Sequence, residues 1–267
     1  DPRPARIPLS FAQQRMWFIN QFDPALPTYN IPAVLRLTGD LDVAALRQAV
    51  IDTVERHEVL RTTFPIADGL PYQRIDDIAL FDSRGVWQTV DTDDDLFAAV
   101  ASGFDVTSGW PIRVALRASV SGDYLLGVVL HHIGADGESM LPLVTDIVTA
   151  YTARAQGDSP QWTPLEVQFA DFAIWQHEAL GSVDDAESVT ARQLGYWREQ
   201  LAGLPDVLEL PADRPRPQVA SYRGADLEFA IPADIADGVS RVASSRDVTP
   251  FMVVHAAFAV LMARLSD

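Results

Sequence analysis

The chain has 267 residues, of which 48% are hydrophobic and 21% charged, enough for a sizeable buried core. A formal net charge of -17 repels phosphate backbones and anionic lipid, which argues against nucleic acid or a membrane surface as partner. There is no cysteine, so disulfides, thiolate nucleophiles and Cys-ligated zinc are excluded, and a cytoplasmic setting fits.

The opening Asp1-Pro2-Arg3-Pro4 lacks the basic-then-apolar pattern of a signal sequence. Residues 31–38 are rich in strand formers and end at Gly39-Asp40, a turn signal. Asp42 can cap a helix that places Leu46, Val50 and Val54 on one face. Residues 59–64 read as a strand, and 94–102 as a second helix behind the acidic run 91–95. That run lacks the alternating ligands of a calcium loop and suits a solvated helix start. Residues 111–120, the turn Ser121-Gly122-Asp123 and residues 124–133 read as a β-hairpin. Its second arm, with Leu125, Leu126, Val128, Val129 and Leu130, is apolar enough for a central strand buried on both faces.

Helical spacing resumes at Glu138 with Met140, Leu143, Ile147 and Tyr151, and stops at Gly157. Further helices are expected at 168–180 and 189–201, then a proline-broken connector through Pro217. A strand at 225–231 and helices at 232–246 and 249–265 follow. The apolar run 251–263 is interrupted by His255 and is too short to span a bilayer. The pattern is α+β, a mixed sheet with flanking helices and a lobe boundary between residues 165 and 220. One strand is not a sheet, so the second lobe is expected to be incomplete.

The chemistry concentrates in Leu130-His131-His132-Ile133-Gly134-Ala135-Asp136-Gly137-Glu138-Ser139. Strand alternation sends His131 and His132 to opposite faces, so the two do not readily share a metal. No third ligand stands at zinc spacing, and no G-x-S-x-G, Walker or dinucleotide motif is present. Gly137 permits tight backbone geometry where the next helix begins, and amides there can receive negative charge. From the residues alone, the pair is either a general base beside an oxyanion site or a packed, hydrogen-bonded histidine pair.

The run from His131 to Gly137 resembles the H-H-x-x-x-D-G motif of condensation domains in nonribosomal peptide synthetases. Its shorter H-x-x-x-D-G core is similar to that of chloramphenicol acetyltransferase. Three further segments resemble family motifs in the same order: Ser10 to Trp17, Arg56 to Phe64, and Phe169 to Trp175. Phe169 stands where the family usually has Tyr. The tail from Leu208 to Pro217 is similar as well.

The resemblance implies a chloramphenicol acetyltransferase-like fold of two lobes with a tunnel between them. Residues 1–175 would form the N-terminal lobe, and 176–267 the connector and the start of a truncated C-terminal lobe. It implies peptide bond formation between donor and acceptor thioesters, each on the phosphopantetheine arm of a carrier protein. No cofactor or metal would be bound by the domain itself, and an adenylation domain would adjoin it. By the same carry-over His132 is catalytic and Gly137 a backbone oxyanion donor. His131 is structural, and Asp136 holds the loop by pairing with Arg56 or Arg61. His57 is expected to pack or cap, and Trp17 and Trp175 to be core aromatics. Ser10 lacks an adjacent base and is no nucleophile.

Two departures stand out. The second-lobe motif I-G-x-x-x-A-N-R is absent, so this chain alone is expected to be inactive; Glu138 replaces an aromatic residue common in relatives. Within the fold, His131 argues against heterocyclization domains, which carry Asp there, and the opening segment argues against epimerization domains. A coenzyme A-dependent acyltransferase or a catalytically silent docking module are the remaining alternatives. Carrier proteins are acidic too, so docking is expected to rest on local apolar contacts with weak salt dependence.

Overall fold

The computed structural model describes residues 2–119, 122–215, 217–218, 224–225 and 227–266. Val120 and Ser121 of the expected hairpin, Arg216 of the connector and Asp226 of the expected last strand lie outside them. Helix α1 (Phe11–Asn20) starts at Ser10 in a reciprocal capping box with Gln13. Strand β1 (Asn30–Leu37) leads to α2 (Val43–Arg56), where the Asp42 side chain accepts the Ala45 amide as expected.

Of the strand expected at 59–64 only two residues form. Residues Glu58–Arg61 form a 3-10 turn, and β2 is confined to Thr62–Thr63. The amide of Leu60 donates to His57 O, and the Thr62 hydroxyl donates to Glu58 O, so local bonds claim the backbone before a ladder can. Two short ribbons follow, β2 with β5 (Arg74–Ile75), and β3 (Ile66–Ala67) with β4 (Leu70–Pro71). Strand β6 (Trp87–Val90) precedes α3 (Asp93–Ala101), whose first turn holds Asp93, Asp94 and Asp95 against the positive end of the helix.

The hairpin is β7 (Ile112–Ala118) and β8 (Tyr124–His131), and it is followed by α4 (Met140–Ala155), α5 (Phe169–Leu180) and α6 (Val189–Gln200). The sheet order is β1-β8-β7-β6, with β8 antiparallel to both neighbours and β6 parallel to β7. It is the mixed sheet the sequence implied. Val114, Leu116, Val128 and Leu130 pack on one face with Leu46, Val50 and Val54 of α2 and Leu143 of α4. Ala115 and Val129 face the other way, against Leu96 and Val100 of α3 and Met16 of α1. β8 is therefore buried on both sides, and each fully buried large aliphatic or aromatic side chain contributes about 1.5–3 kcal/mol.

The chain divides into two compact units, residues 1–194 and 195–267, the division falling inside α6. The second unit carries α7 (Ala233–Arg246) and α8 (Pro250–Leu265), the latter capped by Thr249 with Pro250 in its first turn. The strand expected at 225–231 does not form: its described residues have no ladder partner among the described residues. No single helix among the described residues is long and apolar enough to cross a membrane.

Candidate functional site

The two histidines lie at the end of the central strand in opposite environments. His131 closes β8 and is 2% exposed. Its amide donates to Pro111 O at 3.0 Å, and its ring lies among Phe104 and Tyr29. The Ile133 amide donates to its Nδ1 at 3.1 Å, which fixes the proton on Nε2. Burial, with the neighbouring His132 second, pushes its pKa down to about 4. His131 is thus a neutral, packed ring.

His132 is exposed. Its amide still donates to Tyr29 O at 2.8 Å, one step past the ladder, so its backbone is tethered while its side chain reaches solvent. The following turn is braced from beneath. Gly134 N–H donates to His131 O, and buried Gln13 of the first motif donates to Ile133 O at 3.3 Å. Trp17 of the same motif donates its indole N–H to Phe64 O at 2.9 Å. Trp175 is not the core aromatic expected. It is 59% exposed and ends an aromatic row with Phe169 and Phe172, because α5 turns that face away from the sheet.

The expected ion pair of Asp136 with Arg56 or Arg61 does not form. Asp136 instead accepts from the Ser139 amide at 3.0 Å and hydroxyl at 2.6 Å, while Ser139 Oγ accepts the Asp136 amide at 3.1 Å. These bonds, with the Ser139 side chain first, hold the Asp136 carboxyl below the usual carboxylate range. The arginines are engaged elsewhere. Arg56 donates Nε to Asp146 at 3.0 Å and Nη1 to Thr163 O, and it stacks over Trp162; Arg61 donates to the Asp76 carbonyl. The closed Asp136–Ser139 turn leaves the amides of Gly137 and Glu138 without a hydrogen-bond partner among the described residues.

Beside this turn lies a cavity of about 390 Å³. Leu60, Leu130 and Leu143 line its buried side, Leu165, Val167 and Phe169 its outer wall, and Asp136 and Glu138 its edge. His57, the C-cap residue of α2 as its expected place at a helix end implied, also lines it. Its Nε2 donates to Asp146 Oδ2 at 2.7 Å, and the same oxygen takes Arg56. Asp146 was missed altogether. Its signal was a carboxylate between Leu143 and Ile147 on an otherwise apolar helical face. Among the described residues no group of His, Asp and Glu is arranged to hold a metal ion.

The model of the condensation domain family matches residues 5–267, and the chain belongs to that family. Over 98% of its length it is 46% identical to a probable non-canonical nonribosomal peptide synthetase, CymA, of Salinispora arenicola. It is 43% identical, over 99%, to an isonitrile lipopeptide synthase of Mycobacterium tuberculosis. The chain spans only 3% and 11% of those two relatives. Among solved structures it is similar to the X-domain in a complex with OxyB from teicoplanin biosynthesis, with a TM-score of 0.87 and 32% identity, covering 99% of this chain and 58% of that one. A four-domain nonribosomal peptide synthetase bound to AMP and glycine shares the fold, with a TM-score of 0.78 at 23% identity, covering 99% of this chain and 20% of that one.

Proposed function

We propose that the chain belongs to a domain that forms an amide bond between a donor acyl thioester and the amine of an acceptor aminoacyl thioester. The observation that carries the reading is the split of the histidine pair: His131 is buried and neutral, and His132 is exposed at the end of the central strand. The acceptor nitrogen attacks the donor thioester carbon, giving a tetrahedral oxyanion. His132 takes the amine proton, and Gly137 N–H donates to the oxyanion. The C–S bond then breaks, the proton passes from His132 to the departing thiolate, and the acyl group ends on the acceptor nitrogen. No covalent enzyme intermediate is needed, because the thioester is already activated.

The other residues support the site. His131 holds the Ile133 amide, and Asp136 closes the turn that leaves Gly137 free. Arg56 and Arg61 fix the segment between α2 and β2 that borders the cavity. Both substrates ride phosphopantetheine arms of donor and acceptor carrier proteins, an adenylation domain adjoins, and the setting is cytoplasmic. The similarity to an X-domain in complex with OxyB favours one second reading, recruitment of a partner protein without chemistry. The two readings separate in one assay. The complete domain is mixed with a donor-loaded and an acceptor-loaded carrier, and the intact mass of the acceptor carrier is followed. Gain of the donor acyl mass supports condensation; carrier binding without mass transfer supports recruitment.

A further inference from the structure

The outer wall of the cavity is built differently from its buried side. Leu60, Leu130 and Leu143 belong to the apolar core, whereas the wall runs into α5, which buries only Ala170 and Ala173. What holds α5 at its cavity end is a closed polar network. Arg3 donates Nε and Nη2 to the two oxygens of Asp171 at 2.7 and 2.9 Å, and Nη1 to Glu58 Oε2 at 2.7 Å. Asp171 also accepts the Gln168 amide at 2.9 Å, and the Gln168 side chain accepts the Glu58 amide and donates to Arg56 O. One guanidinium thus joins the first turn of α5 to the 3-10 turn at Glu58–Arg61, and residues of both segments line the cavity. A fork shared by two carboxylates, with Arg3 30% and Glu58 21% exposed, is the geometry in which an ion pair keeps its energy. The segment that carries Arg3 is fixed further along as well. Gln73 donates its amide to Ile7 O and its side chain to Pro8 O. At the far end of α5, His177 Nε2 donates to Leu9 O at 2.8 Å and Gln176 accepts the Phe11 amide at 2.9 Å.

We propose that residues 3–11 form a strap that holds α5 as the outer wall of the cavity, and that Arg3 is a positioning residue that sets how far this wall stands from the 3-10 turn. Without Arg3 the cavity end of α5 is left on the single side chain of Gln168, with little buried apolar surface to retain it. Gln176 and His177 keep the far end attached to Phe11 and Leu9. The wall then moves about that far end, while the sheet and the histidine pair keep their places. The cavity is adjustable on one side only. This inference uses the construction of the cavity and not the reaction, so it holds for a condensing and for a recruiting domain alike.

The test is hydrogen–deuterium exchange of the complete domain, read by mass spectrometry on peptides covering 165–174, 175–181 and β8. The proteins compared are wild type, Arg3→Ala, Arg3→Lys, Glu58→Gln and the double variant of Arg3→Ala with Glu58→Gln. Arg3→Ala is expected to raise exchange in 165–174 at least about tenfold, while 175–181 and β8 stay within about twofold of wild type. Arg3→Lys, whose single ammonium cannot fork to both carboxylates, should fall between the two. Glu58→Gln should raise exchange in 165–174 on its own and add nothing once Arg3 is gone. Unchanged exchange in 165–174 overturns the strap. A rise spread evenly over β8 overturns it too, because Arg3 would then be a general stabiliser, and so does an additive effect of the two substitutions. If Arg3→Ala does not fold, Arg3→Lys and Glu58→Gln decide by the same contrast between a local and an even rise.

Discussion

The ring of His131 accepts the amide hydrogen of Ile133 at 3.1 Å, in a pocket that leaves the ring 2% exposed. That bond needs Nδ1 unprotonated, so the fold depends on a neutral imidazole. The ring titrates near 6.5 when the chain is unfolded and at about 4 when folded. Between those values the unfolded state binds the extra proton, so stability rises with pH across the window and falls on acidification through it. The contribution is complete above pH 6.5, at about 3 kcal/mol. Urea unfolding of the complete domain from pH 7 to pH 4 should show this loss. His131→Gln, which keeps an acceptor and cannot titrate, should flatten the dependence; an unchanged pH slope in the variant contradicts the assignment.

Asp146 joins two helices through one oxygen, taking His57 and Arg56 from the end of α2. Asp146→Ala leaves two part-buried donors unpaired and should cost about 1–3 kcal/mol of stability. A double-mutant cycle with His57→Ala should give a coupling of about 0.5 kcal/mol or more. Additive effects would mean that the short contact carries no energy of its own.

Much of this fold was legible because its signals are local. Asp42 caps α2, and the nearly continuous apolar run of β8 marks a strand covered on both faces. Alternation sends His131 and His132 to opposite faces, but both faces of β8 are covered, so the exposure of His132 comes from its place one residue past the strand's end. What was not legible depends on competition or distance. Arg56 and Arg61 each had several carboxylates and carbonyls to choose from, and a spacing argument cannot tell that Ser139, three residues on, satisfies Asp136 first. The 3-10 turn at 58–61 escaped notice for the same reason, since Thr62 reads equally well as a strand residue. Trp175 looked like core by residue type, and only the packing of α5 turns it outward.

Two glycines should respond in opposite ways to a single methyl group. A Cβ on Gly103 would stand 2.2 Å from Pro24 O and 2.6 Å from Ala25 C, both backbone atoms that cannot swing aside. Gly103→Ala should therefore destabilise by about 2–4 kcal/mol through forced backbone movement. A Cβ on Gly137 meets nothing within 4 Å, so Gly137→Ala should stay within about 0.5 kcal/mol of wild type and keep its amide donor. Thermal unfolding of the two variants side by side checks the contrast; equal losses would contradict it.

The proposed chemistry turns on one exposed ring at the end of β8. The most direct measurement is the single-turnover rate of acyl transfer between loaded carriers in the complete domain, for wild type, His132→Ala and His131→Gln. Loss of a general base should slow the His132 variant by about 10²–10⁴-fold with carrier binding retained, and His131→Gln should lose far less. A His132→Ala rate within twofold of wild type would remove the imidazole from the reaction.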